Sequence, residues 1–198
     1  MLKLVLLSFV LSAFASPAAK TLCDVSDVKV QAGSLPPQTA PTSFIALGVG
    51  TQNYTCSSAG NYTSAGAVAT LYDISCTYAN FDATADVQNL LVLGQHFFIT
   101  NPVNASAGIS PKWDFTSRLG DPQAFVVGAR IDFMPAPVDP ATNIDWLKLG
   151  AVPGQGSLAS EIYRTDTKGG QPPASCAVGS KPITVKYSAT YWFTGGKF

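Results

Sequence analysis

The sequence predicts an all-β fold, a mainly antiparallel sandwich or barrel stapled by disulfides, with at most one or two short helices. Three observations predict it. Side chains alternate apolar and polar over several runs of strand length, which is the period of a half-buried strand. Clusters of Pro, Gly, Asn and Asp separate those runs. Four cysteines, Cys23, Cys56, Cys76 and Cys176, form an even set with no Cys-x-x-Cys pair.

Taken in chain order, the first element is a leader. Lys3 precedes an apolar run from Leu4 to Leu11, and Ala13-Phe14-Ala15 supplies a small-x-small cleavage site, the pattern of a secretory signal peptide. Such a run is far short of the roughly 20 residues that span a bilayer. Residues 1–15 are therefore expected to be removed, leaving 16–198 as one β-rich domain that starts at Ser16. Strands are expected over Phe44–Val49, Thr51–Cys56, Ala67–Ile74, Leu93–Ile99, Ala124–Ile131 and Leu158–Thr165. The last and clearest puts Ile183, Val185, Tyr187, Ala189, Tyr191 and Phe193 on one face and ends at Gly195-Gly196. One stretch departs from this rhythm. Asp82 to Leu91 carries a cap candidate at Asp82 or Thr84, Val87, Leu90 and Leu91 at helical spacing, and Gly94 as a stop, which predicts a short helix or a helical loop.

Charged residues make up only 12% of the chain, against the usual ~25%, and the net charge is +0. No Lys/Arg cluster marks a nucleic-acid or anionic-lipid partner. No second apolar run approaches bilayer length, so no transmembrane anchor is expected. In the oxidising compartment that the leader implies, the four cysteines read as two disulfides with three possible connectivities. Zinc is disfavoured, because His96 is the only histidine.

Asn53-Tyr54-Thr55, Asn61-Tyr62-Thr63 and Asn104-Ala105-Ser106 are glycosylation sequons. Asn61 and Asn104 lie among turn residues. Asn53 shares parity with Ile45, Leu47 and Val49; if these face a core, either a bulge at Gly48 or Gly50 switches the faces or Asn53 is unmodified.

Little catalytic chemistry is legible. Gly154-Gln155-Gly156-Ser157-Leu158-Ala159 satisfies the dinucleotide fingerprint in letters alone. Pro153 precedes it, a strand-like run follows, and no acidic residue stands about 20 positions on. No G-x-S-x-G elbow accompanies His96. Glu161 is the only glutamate, so a glycosidase pair would have to draw on aspartates such as Asp114 beside Trp113 or Asp145 beside Trp146. Exposed aromatics flanked by Asn, Gln and Asp suit sugar binding, where an indole or phenol covers an apolar sugar face. Trp192 breaks the polar face of the last strand, which leaves it exposed or covered by a loop.

Several motifs also follow one another in a familiar order. They are Phe44–Cys56, Ala69–Asp73, Gly94–Phe98, Pro111–Trp113, Asp145–Leu149, Gly154–Gly156, Tyr163–Thr167, and Gly169-Gly170 through Pro173 to Cys176. Together they resemble DUF3455, a family of secreted proteins of unknown function, and the four-cysteine form with Gln52-Asn53-Tyr54-Thr55-Cys56 resembles its fungal branch. Members of that branch often carry a malate dehydrogenase label, which the context of the glycines contradicts. The resemblance implies a Cys56–Cys176 disulfide, which leaves Cys23–Cys76 as the second. It implies nothing about mechanism.

The leading functional expectation is a secreted, non-catalytic protein, cell-wall-associated or carbohydrate-binding, without cofactor or metal. Its ligand-binding candidates are His96, Trp113, Asp114 and Trp192, and its partner is a wall polysaccharide or a host protein. A secreted interaction protein or elicitor acting on a host or neighbouring organism is the second expectation. An extracellular enzyme using His96 is the third.

Overall fold

Successive strands joined by turns can each pair with the next, and about eight of them can close on themselves so that no edge is left unpaired. The computed structural model, which describes residues 23–80 and 90–198, has this form. Strands β1 (Thr42–Cys56), β2 (Tyr62–Asp73), β3 (Val92–Thr100), β4 (Ile109–Asp114), β5 (Phe125–Met134), β6 (Trp146–Ala151), β7 (Glu161–Gly169) and β8 (Ile183–Thr194) follow in order. Each is antiparallel to its neighbour, and β8 pairs back onto β1 in a closed barrel. Short helical turns at Tyr78–Asn80, Ala105–Ala107 and Thr116–Leu119 connect strands. The short helix or helical loop expected over 82–91 lies, apart from Leu90 and Leu91, outside the described residues.

The two runs expected on either side of Gly50 are one continuous strand. Gly48 and Gly50 mark close approach rather than a break: a Cβ on Gly48 would lie 2.5 Å from the Tyr191 ring, and one on Gly50 would overlap the Val68 carbonyl oxygen. β4 and β6 were not expected as strands. Pro111 interrupts the alternation of β4, yet it lies just outside the β4–β5 ladder, whose first pair is Lys112 with Val127. In β6 the outward-facing Lys148 is buried, so the polar face that would have revealed alternation is hidden.

The barrel interior is layered. One end is plugged by Phe44, Leu93, Phe115, Ala124, Leu158 and Phe193. Phe115 meets Phe44 and Phe193 edge-on, with ring centroids 5.6 and 5.1 Å away. The middle layer holds His96, Trp113 and Tyr191. The other end is open. Its loops are β1–β2, β3–β4, β5–β6 and β7–β8, and the Cys56–Cys176 disulfide ties the end of β1 to the last of these.

Apolar residues on the outer face need a cover, and the N-terminal segment 23–41 supplies it. Val25, Ala32 and Leu35 pack on Ile45, Leu47, Ile74, Tyr163 and Trp192 in a second core. Cys23–Cys76 fastens the start of this segment to the β2–β3 connection. Beneath it a buried ion pair, Lys148 Nζ to Glu161 Oε1 at 2.8 Å, is completed by backbone groups. Lys148 donates to the Pro37 carbonyl, and the Thr39 N–H donates to Glu161. Tyr163 adds a bond to the Pro36 carbonyl.

This second core revises the parity argument for Asn53. Ile45, Leu47 and Asn53 share the outer face, while Phe44, Ala46, Gln52 and Tyr54 face inward. Asn53 reaches the surface with no bulge at Gly48 or Gly50. The β1–β2 register instead shifts between Asn53 and Tyr54.

Candidate functional site: the open end of the barrel

The open end leads into a cavity of about 530 Å³. Alternation decides its lining, because every second residue of each strand points inward. Gln52 and Tyr54 come from β1, Phe98 from β3, Leu147 and Leu149 from β6, and Arg164 from β7; Asn101, Asp145 and Gln171 lie in loops around the mouth. Tyr54 is braced by its hydroxyl, which donates to the Gly170 carbonyl at 2.7 Å. Arg164 pairs across the sheet with Leu147 and Tyr191, both on the inner face, so its guanidinium enters the barrel. There Nε and Nη2 donate to the Asp145 carbonyl at 3.1 and 2.8 Å. No carboxylate pairs with Arg164 among the described residues.

Below the cavity lies a buried aromatic and phenolic layer. The Tyr187 and Tyr191 hydroxyls are 3.0 Å apart. Burial raises both phenols, Tyr187 well above its ordinary value, so both keep their protons. The His96 ring stacks on Trp113 at 4.5 Å and 10° between planes. His96 Nδ1 lies 3.0 Å from the Lys112 carbonyl, an acceptor, so Nδ1 carries the hydrogen. Burial lowers His96 to about 4, against a partly offsetting bond to that carbonyl, and the Arg164 charge lowers it further. At neutral pH the ring is uncharged. Two buried donors in this region, Gln52 Nε2 and Trp113 Nε1, have no hydrogen-bond partner among the described residues. A buried hydrogen-bond donor left unpaired costs about 1–3 kcal/mol; of the two residues, Gln52 lines the cavity and Trp113 lies beneath it.

The four candidates from sequence are divided by this architecture. His96 and Trp113 meet inside the barrel. Asp114 points outward, where its Oδ2 pairs with Lys112 Nζ at 2.8 Å and its Oδ1 accepts from the Thr116 N–H and hydroxyl. Partial burial pushes its carboxyl up, but these bonds outweigh that and hold it below the usual range. It borders a separate outer groove with Gln95 and Arg118. Trp192 is also on the outer face, covered by the N-terminal segment, with its indole N–H donating to Thr165 Oγ1. Gly154–Ala159 forms part of the β6–β7 connection between antiparallel strands, not a strand-to-helix turn.

Gln52 and Arg164 were quoted in sequence motifs without a role. Parity was the available signal: Arg164 is two residues from the core residue Ile162, and Gln52 is in step with Phe44 and Ala46. Without the knowledge that the odd face of β1 is covered by a second core, that parity pointed the wrong way.

A family model described as a protein of unknown function, DUF3455, matches residues 36–195. The chain belongs to the DUF3455 family. The match spans the whole barrel from the segment before β1 to the end of β8, so the cavity is built entirely from the DUF3455 region. Among curated proteins and among solved structures, nothing matches the chain. No helix of the described residues is long and apolar enough to cross a membrane.

Proposed function

We propose that this protein is a secreted, non-catalytic binding protein that holds a saccharide-sized ligand in the open end of its barrel, with an extracellular or cell-wall polysaccharide as the source. The observation that carries the reading is the cavity itself: Tyr54 and Phe98 offer aromatic surface, and Gln52, Asn101, Asp145, Arg164 and Gln171 offer oriented polar groups. Sugars need both, since each ring has apolar faces and a belt of hydroxyls. The leader-like run at residues 4–11 and the two disulfides support the extracellular route. A binding role is favoured over catalysis by the polar set. Asp145 is the only carboxylic acid lining the cavity among the described residues, whereas glycoside hydrolysis needs two. His96 is neutral, stacked and bonded through Nδ1 to the backbone.

The test is a titration of intrinsic tryptophan fluorescence with soluble oligosaccharides from wall polymers, alongside retention on the insoluble polymers. Saturable binding, weakened by Gln171→Ala or Asn101→Ala at the rim, is expected. Absence of binding to every polymer would reject the reading and favour a protein partner.

A further inference from the structure

The polar groups at the inner end of the cavity are unequal in kind: donors outnumber acceptors. Gln52 Nε2 is buried, with its residue only 6% exposed; it lies beside the Tyr187 hydroxyl and makes no well-formed hydrogen bond among the described residues. Arg164 brings a full positive charge inward and has no carboxylate partner among the described residues. The Tyr187–Tyr191 pair uses one phenolic hydrogen between its two oxygens, which leaves the other without an acceptor in that pair. The formal charges lining the cavity have a positive excess: Arg130 and Arg164 stand against Asp145 alone. A neutral sugar hydroxyl answers one donor by bringing another. A carboxylate brings only acceptors and a negative charge.

We propose that the cavity takes its ligand carboxylate-first, with the anionic group between Gln52 Nε2 and the Arg164 guanidinium and the ring of the ligand against Tyr54 and Phe98. This rests on the cavity being the binding site for a saccharide-sized molecule and narrows it to an acid: a uronic acid end of a polysaccharide, or an aromatic acid of similar size. A planar guanidinium fixed by two bonds to a backbone carbonyl is well suited to that group, because its orientation is set before the ligand arrives.

Three probes separate the outcomes by calorimetric or fluorescence titration: galacturonate, its uncharged methyl ester, and benzoate. Galacturonate is expected to bind at least about tenfold more tightly than the ester, the scale of one charge-assisted hydrogen bond. Arg164→Lys should retain part of that preference and Arg164→Gln should abolish it. Because the ester changes only the ligand, the comparison stands even if an Arg164 variant fails to fold. Equal affinity for galacturonate and its ester overturns the carboxylate proposal and leaves the saccharide reading intact. Binding of benzoate but of neither sugar supports the carboxylate proposal and overturns the saccharide reading. No binding by any of the three overturns both.

Discussion

His96 makes the stability of this protein depend on pH in a window where nothing else on its side chains is expected to contribute much. It is the only histidine. Burial lowers its pKa from 6.5 to about 4 in the folded chain. The unfolded chain therefore binds a proton between those values that the folded chain refuses, so stability is complete above the unfolded pKa and falls as pH drops toward the folded one. Moving from about pH 7 to about pH 5 is worth roughly 2 kcal/mol, since each unit of differential protonation contributes about 1.4 kcal/mol. The lowered carboxyls of Asp114 and Glu161 change stability in the same direction, but mainly below about pH 5, where their unfolded counterparts begin to titrate. Urea unfolding at the two pH values measures the difference directly. His96→Phe keeps an aromatic ring against Trp113 and removes the titration, so its stability should be nearly flat across the window; His96→Gln serves if the larger change misfolds. A wild-type protein as stable at about pH 5 as at about pH 7, or a variant with the same slope as wild type, would refute the reasoning.

Other perturbations test the scaffold. Glu161→Gln strands the Lys148 ammonium under the N-terminal segment and should cost about 3 kcal/mol in urea unfolding, with the segment's amide protons exchanging faster. Gly48→Ala drives a methyl into the Tyr191 ring and should cost about 1–3 kcal/mol by thermal melting; Tyr191→Leu in the same chain should recover part of it. Cys56→Ser with Cys176→Ser opens a link between residues 120 apart and should lower stability by about 5 kcal/mol on the chain-entropy account. Trp192→Ala should destabilise by about 3–5 kcal/mol because it empties the second core, and it should leave the open end of the barrel unaltered by amide chemical shifts.

The all-β class was legible because alternation survives wherever one face of a strand meets the core and the other meets solvent. β8 shows it from Ile183 to Tyr191, before both faces become buried at Trp192 and Phe193. It failed where both faces are buried. Ile45 and Leu47 look like core residues and are, but of the outer core, so the same letters that identify β1 as a strand mislead about which side is inside. Lys148 and Glu161 hide in the same way, as charged residues whose partners come from distant segments. A barrel could not be told from a sandwich, because closure depends on β8 pairing with β1 across the length of the chain. The disulfide pairing implied by family resemblance agrees with the structure. Of the site, His96 and Trp113 were visible as chemistry. Gln52 and Arg164 were not, because they line a cavity assembled from several strands that no local pattern describes.

The most direct test is a nitrogen-15 NMR titration of the folded protein with galacturonate-rich oligosaccharides. The account predicts that the Gln52 side-chain amide and the Arg164 Nε–H shift together with backbone amides of the β3–β4 and β7–β8 loops, while residues of the N-terminal segment stay still. Shifts confined to the outer face, around Val49, Val68 or Phe133, would contradict it and place any ligand outside the barrel.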